Sequence, residues 1–343
     1  MKRFLVGIAL IGCTGLLNAQ DMHFSQGNRF LMLQNPAQTG LFEGWERASI
    51  GHKSQWVQSG AKYQTSVVSA DVSLFRKRTG QGANLGVGLL LFSDNAGDSR
   101  FGTKQMLLSV SGIVPLAPLH KISLGFQAGM GQKSGDFSEL VFSNQFNGSE
   151  LDPDINSGEA NNLVSFFYPD FSVGGLYQFG SEKSTFRSGD RPKITTGVAY
   201  YHLNKPRLKY KLVGIEQLHS KWVFHANYLQ RFSGTDAGIE AVLNQYVQGP
   251  HTETNISVLY RYYLSQSSKI TGFKKASYLA VGMLYRYKDA VAPMIQMNYK
   301  GFDFGLSYDI TTSKLGQVNR GGGIEFSLVY TNLDFALFKR QNY

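Results

Sequence analysis

The stretch Phe302-Asp303-Phe304-Gly305-Leu306-Ser307-Tyr308-Asp309-Ile310 alternates large apolar side chains with small or polar ones. Successive side chains of a β-strand point to opposite faces, so this period of two predicts a strand with one apolar face. The second face carries Asp, Gly and Ser rather than the Lys and Glu that cover a soluble sheet. Large apolar residues outside and small polar residues inside are typical of a transmembrane β-barrel.

The same alternation recurs along the chain, for example at Ile122–Met130, Ile194–Tyr200, Leu279–Tyr285 and Ile324–Tyr330. It predicts an all-β protein, a transmembrane antiparallel barrel of about 14 strands, each about as long as a tilted strand must be to cross a bilayer. Twelve or sixteen strands are the alternatives, because single strands can be misassigned. The expected strands lie near 47–56, 64–74, 84–92, 104–114, 122–130, 170–179, 193–202, 220–230, 238–246, 253–263, 277–287, 291–299, 301–310 and 320–330.

Composition and charge agree with a barrel. Charged residues make up only 17% of the chain, against roughly 25% in soluble domains. The formal net charge of +10 could indicate nucleic acid, but an exported barrel facing anionic outer-membrane lipid explains it more simply, and no nucleic-acid partner is expected. Basic clusters at Arg76–Arg78, Lys274–Lys275 and Lys339–Arg340 fall on the predicted periplasmic side, where they meet lipid phosphate or dock a periplasmic partner.

Residues 1–19 read as a signal peptide that would export the chain, and the expected location of the barrel is the cell outer membrane. Lys2 and Arg3 precede an apolar run to Leu17, and cleavage after Ala19 would leave Gln20 as the first residue. The alternative is a lipoprotein signal with a lipidated Cys13. Because apolar residues continue beyond Cys13, ordinary cleavage is favoured. Cys13 is the only cysteine, so a chain that begins at Gln20 has no disulfide or thiolate site.

Three regions are expected after cleavage. Residues 20–46 do not alternate and carry turn signals at Asn35-Pro36 and Gly40, which predicts a non-strand N-terminal segment that is periplasmic or enters the lumen. The barrel occupies 47–343. Its longest connection, 131–169, follows the fifth strand, and a shorter one, 203–219, follows the seventh. Both are extracellular if the N-terminus is periplasmic.

No catalytic or cofactor motif is evident, and neither an enzyme nor a metal or cofactor is expected. His202 and His225 are interpreted as girdle or lumen residues. The segment Asp152–Glu159 resembles a calcium loop, but an EF-hand needs Gly at its sixth position and Glu at its twelfth, where this chain has Ser157 and Leu163. A polar loop with Asx turns is the preferred interpretation.

The long loop is unusually rich in aromatic residues, which a solvated loop does not need. They are candidate partner-binding residues, because aromatic anchors are common at protein interfaces. The alternative is that they pack the loop onto its own barrel or extend the fifth and sixth strands. The candidates are Phe137, Leu140, Phe142, Phe146, Phe166, Phe167 and Tyr168.

Several motifs together resemble the PorP/SprF family of the type IX secretion system. Gln20-Asp21-Met22-His23-Phe24-Ser25-Gln26 and Asn35-Pro36-Ala37-Gln38-Thr39-Gly40 are similar to that family's opening segment, although Gln38 and Thr39 replace its usual aromatic residue and alanine. Further similar motifs cover nearly the whole chain. They are Ser54-Gln55-Trp56, Pro169-Asp170, Tyr201–Pro206, Arg286–Ala290, Ser307–Ile310 and Gly321–Glu325.

The resemblance implies an outer-membrane barrel that supports export and surface anchoring of a large secreted adhesin, including adhesins used in gliding. Such cargo typically carries a type B C-terminal signal, and other type IX secretion components are implied partners. The alternative is an outer-membrane porin or hydrophobic-compound transporter, because a barrel of this size encloses more space than its inward side chains fill. A barrel hydrolase is a more distant possibility.

Overall fold

The structure is a computed structural model that describes residues 24–56, 63–75, 82–97, 101–135, 142–152, 154–156, 158, 165–180, 192–210, 214–265, 277–313 and 322–332. Fourteen antiparallel strands form a closed barrel, and a separate two-stranded hairpin, β8–β9, lies outside its ladder. The strands are β1 Glu46–Gln55, β2 Tyr63–Leu74, β3 Asn84–Ala96, β4 Phe101–Ala117, β5 His120–Ser134, β6 Phe166–Phe179, β7 Lys193–Tyr201, β8 Arg207–Tyr210, β9 Gly214–Gln217, β10 Lys221–Arg231, β11 Ala237–Gln248, β12 His251–Tyr263, β13 Tyr278–Arg286, β14 Ala290–Tyr299, β15 Phe302–Thr311 and β16 Gly323–Thr331.

The barrel closes where the first strand pairs with the last. The β1–β16 register runs from Arg47 opposite Thr331 to Gln55 opposite Gly323. Elsewhere, neighbours in the sheet are neighbours in the chain, except that β7 pairs directly with β10. Closure leaves no unpaired edge, which a β-structure in lipid requires.

The predicted faces of β15 are confirmed. Phe304 and Leu306 point outward and are 37% and 47% exposed, whereas Ser307 points into the barrel and is 2% exposed. The other strands repeat this arrangement, with large apolar side chains such as Ile50, Val68 and Leu108 exposed on the outer surface. The outer surface is therefore an apolar belt, as the sequence pattern predicts for a barrel in lipid.

Every barrel strand overlaps one of the predicted strands, but β3 to β6 are longer than predicted. β5 extends to Ser134 and β6 begins at Phe166, so the connection between them spans 135–165 rather than 131–169. Phe166, Phe167 and Tyr168, assigned to the loop from the sequence, belong to β6. The hairpin β8–β9, within the expected loop 203–219, was not predicted.

The two ends of the barrel differ in the length of their connections. The end that carries 135–165 and 202–220, called here the loop end, has the two longest connections between barrel strands. At the opposite end, β14 and β15 are joined by Lys300 and Gly301, with φ of 50° and 85°. Positive φ at both positions is the geometry of a tight type I′ hairpin turn.

Helical structure among the described residues consists of single turns at Gly27–Arg29, Leu31–Gln34, Pro36–Gln38 and Ser143–Gln145. Of the helices in the described part of the chain, none is long and apolar enough to cross a membrane. The signal-peptide prediction and the basic clusters at Arg76–Arg78, Lys274–Lys275 and Lys339–Arg340 lie outside the described residues.

Candidate functional site: the occupied lumen and the loop end

Residues 24–40, called here the plug segment, lie inside the barrel. Their hydrogen-bond partners are inward-facing side chains of many strands, from Asp71 on β2 to Glu325 on β16. At Asn35-Pro36 the chain does not continue as a strand, since proline has no N–H to donate to a ladder and the Asn-Pro pair favours a turn. Instead the Asn35 side chain accepts a hydrogen bond from the Ala37 N–H at 2.9 Å and caps the turn Pro36–Gln38. The segment is therefore compact enough to fill the lumen.

An apolar cluster holds the first half of the plug segment. The rings of Phe24 and Phe30 lie 4.5 Å apart, and with Met32 they pack against inward-facing apolar residues of the wall. Those wall residues are Val67, Leu90 and Leu107. Burying such side chains contributes roughly 1.5–3 kcal/mol each relative to exposure. An apolar patch inside a barrel would be unfavourable in a water-filled lumen, and the plug segment covers it.

Glycines on the inner wall leave the space that the plug segment occupies. A Cβ added to Gly51 would collide with the Phe30 ring, and one added to Gly125 would collide with the backbone of Pro36 and Ala37. The same holds for four more wall glycines, each beside a different plug residue. These are Gly86 beside Thr39, Gly88 beside Met32, Gly174 beside Asn35 and Gly305 beside Gln26. The small inner faces seen in the sequence thus accommodate a segment of the chain itself.

A buried charged cluster binds the plug near the loop end of the lumen. Asp309 lies 3.2 Å from Lys53 Nζ and 3.2 Å from Arg286 Nη2, and accepts a hydrogen bond from the Ser25 hydroxyl at 2.7 Å. The Glu325 carboxylate accepts the backbone N–H groups of Ser25 and Gln26, both at 2.7 Å. Charged partners roughly double the strength of a hydrogen bond. This cluster ties the start of the plug to four different strands.

Two further buried ion pairs lie where the plug contacts the barrel wall. Arg29 Nη1 lies 2.7 Å from Asp303 Oδ1, and although burial lowers the pKa of Arg29, the neighbouring Asp303 carboxylate raises it above its ordinary value. At the other side of the lumen, Asp71 pairs with Arg47 at 2.6 Å and accepts the Gly40 N–H at 2.7 Å. Removing one member of such a buried pair costs about 3–5 kcal/mol, because the remaining charge is uncompensated.

Asn35 fixes the middle of the plug. Its Nδ2 donates to the carbonyl oxygens of Gly175 and Val198 at 3.1 and 3.2 Å and lies 3.0 Å from His225 Nε2. His225 faces the lumen, in agreement with its interpretation as a girdle or lumen residue.

His202 also faces inward, and its Nδ1 lies 2.9 Å from the Asp170 carboxylate. This contact joins the start of β6 to the connection that leaves β7.

Replacing Gly125 with alanine should destabilise the barrel by about 1–3 kcal/mol, because the new methyl group meets plug backbone and forces a shift. Gly112→Ala is the matched control, since Gly112 lies on the next strand with open space where a Cβ would stand. Urea unfolding of both variants in lipid vesicles measures the difference. Equal stability of the two variants would show that the plug does not press on this wall.

The predicted partner-binding residues that the structure describes are divided between the loop and β6. Phe137 and Leu140 lie outside the described residues. Phe146, in the loop, is 54% exposed, and Phe167, on β6, is 64% exposed on the outer face. Tyr168 is 2% exposed and packs with Leu208 and Leu218 of the β8–β9 region. Phe166 packs against this cluster. Phe142 is half-buried in the loop.

The polar loop contains Asx turns, as its sequence predicts. The Asp154 N–H donates to Asp152 Oδ1 and the Gly158 N–H donates to Asn156 Oδ1, both at 3.0 Å. These backbone contacts use the side chains that a calcium ion would need. Within the described part of the chain, no group of three or more His, Cys, Asp or Glu side chains is placed to hold a metal ion.

The profile of the family described as type IX secretion system membrane protein PorP/SprF matches residues 16–330. A search of curated proteins gave no match. Among solved structures, the toluene transporter TbuX of Ralstonia pickettii is similar, with a TM-score of 0.44, 10% identity and 91% of this chain and 94% of that chain covered. The translocator domain of the autotransporter NalP from Neisseria meningitidis has a TM-score of 0.41 and 12% identity, with 83% and 87% covered. Neither likeness bears on function. The family match covers most of the chain, and the protein is therefore a member of the PorP/SprF family of type IX secretion system membrane proteins.

Proposed function

We propose that the protein supports the export and surface anchoring of a large secreted adhesin of the gliding or adhesion type, and that it performs no chemistry. The adhesin would carry a type IX C-terminal signal, and other secretion components would be partners. The observation that carries the proposal is the occupied lumen of a barrel in this family. A barrel filled by its own chain has its available surface at the ends and on the outer face.

The alternative is a porin or a transporter for hydrophobic compounds. A passive porin needs a continuous water-filled lumen, whereas the plug segment lies across this one and contacts wall residues on many strands. A hydrophobic compound could use the apolar cluster around Phe30 only after the plug has left it. The anchoring function needs no such displacement, so we favour it.

Replacement of residues 135–161 with a short Gly/Ser linker tests the proposal. The barrel should still fold, because loops tolerate shortening better than strands do. One large surface protein should be released into the medium or fail to be exported, which surface-protein profiling of cells measures. Solute permeability should stay the same, because the plug is unaffected.

The matched control is a similar linker in place of residues 181–191, which connect β6 and β7 at the opposite end. Heat-modifiable migration in gels checks that both variants form closed barrels. If the 135–161 variant keeps every surface protein in place and changes only solute uptake, the anchoring function is wrong and the transporter function replaces it.

A further inference from the structure

A cleft of roughly 570 Å³ lies at the loop end, between the start of β6 and the β8–β9 hairpin. Apolar side chains line one part of it, including Phe167, Leu203 and Pro206. Two cationic side chains also line it, Lys205 from the connection that leads into the hairpin and Arg207 from the first position of β8. Both are exposed, and within the described residues neither side chain forms an ion pair. The cleft therefore combines an apolar floor with two positive charges available to a ligand.

The walls of the cleft are held by specific contacts. The Asn204 side chain donates to the Pro169 carbonyl oxygen at 2.8 Å, and the Leu203 N–H donates to the Phe171 carbonyl oxygen at 2.9 Å. The Leu218 N–H donates to the Pro206 carbonyl oxygen at 2.9 Å. These bonds fix the connection against β6, so the cleft is preformed.

The cleft opens at the upper edge of the apolar belt. Phe167 lies on the outward face of β6, in line with Phe171 and Val173 of the belt. In the sheet register Phe167 stands opposite Gln132, which stands opposite Lys104. Pro169, two residues along β6, stands opposite Met130 of the belt. The outer face thus changes from apolar to polar at the level of Phe167, which is where lipid headgroups lie.

We propose that this cleft binds the phosphate headgroup of an anionic lipid of the outer leaflet. Lys205 and Arg207 contact the phosphate oxygens, because ammonium and guanidinium groups form strong charge-assisted hydrogen bonds with phosphate. An acyl chain lies on Phe167 and Leu203 and continues along the belt. An amphiphile with an anionic head and an apolar tail matches both halves of the cleft. Continuity with the belt favours a lipid over a peptide, since a tail on Phe167 passes directly into the membrane.

The test compares lipid binding by the purified full-length protein with binding by K205Q/R207Q, using native mass spectrometry in detergent micelles. The probes are diphosphoryl lipid A and diacylglycerol, an uncharged lipid without a phosphate. We expect the double variant to lose diphosphoryl lipid A binding by about ten-fold or more, because two charge-assisted bonds are removed. Binding of diacylglycerol, which has no phosphate for these side chains to contact, should be unchanged. Lys104→Gln is the matched control, since Lys104 lies at the same level of the belt on β4 but outside the cleft.

Heat-modifiable migration checks that each variant is folded. Phe167→Ala should weaken diphosphoryl lipid A binding without affecting the binding of inorganic phosphate, which needs only the two cations. Equal lipid A binding by the wild type and K205Q/R207Q would overturn the proposal. So would a double variant that keeps lipid A but loses a surface protein from cells, because the cleft would then be a protein-docking surface.

Discussion

Deletion of residues 24–40 should turn a barrel that conducts poorly into one that shows discrete ion-conductance steps in a planar bilayer. The deleted segment occupies the lumen and covers the Val67, Leu90 and Leu107 patch. Without it, water enters and hydrates the charges of Asp309 and Glu325 that the plug now contacts. The strand pairs that close the barrel include no plug residue, so the deleted protein should still migrate as a folded barrel in an unheated gel.

The 135–161 linker variant is the control for this experiment. It also removes a long segment but keeps every plug residue, so its conductance should match that of the wild type. If the 24–40 deletion and the wild type conduct equally, the plug does not close the lumen. The reason for disfavouring a porin would then be lost.

The second large effect concerns the outer face. Leu306→Arg should lower the free energy of unfolding by about 2–4 kcal/mol, because a charge near the middle of the bilayer is costly. The same substitution at Ile310, near the loop end of β15, should cost about 0–1 kcal/mol, since the cost falls towards the interface. Urea unfolding in lipid vesicles measures both. Leu306→Met, which keeps the volume, is the control and should cost less than about 1.5 kcal/mol.

A Leu306→Arg variant as stable as the wild type would contradict the assignment of this face to lipid. Asp303 on the same strand is not a neutral comparison site, although it faces inward. Its carboxylate pairs with Arg29 of the plug, so a change there leaves a buried guanidinium without its partner.

The sequence predicts the barrel well because lipid on one side and a packed lumen on the other impose a strict period of two. At β15 that period gives the correct face for every residue from Phe304 to Ser307. The alternation becomes weaker above the membrane, where the outer face of a strand no longer has to be apolar. The consecutive aromatics Phe166, Phe167 and Tyr168 therefore resembled a loop, and the four-residue strands of the β8–β9 hairpin were too short to show alternation.

The plug could be predicted only in outline. Its lack of alternation and the Asn35-Pro36 turn indicate a non-strand segment that is either periplasmic or within the lumen. Its partners, however, join residues far apart in the chain, as in the contact of Ser25 with Glu325, 300 positions later. One sequence contains no signal for such pairs. A retrospective hint is the occurrence of the charged residues Lys53, Asp309 and Glu325 at inward-facing positions of β1, β15 and β16.

The joining of β1 to β16 has a consequence for the order of assembly. Gln26 and Ser25 contact Ser327 and Glu325 of the final strand, so these contacts cannot form until that strand has been synthesised and delivered. Contacts of such long sequence separation form late and slowly. During insertion the sheet therefore stays open until β16 arrives, and the pairing of β16 with β1 both closes the wall and adds these contacts to the plug. A chain that stops before Gly323 would lack both the β1–β16 pairing and the contacts of β16 with the plug. It would leave an open sheet with an exposed β1 edge for cellular quality control to recognise.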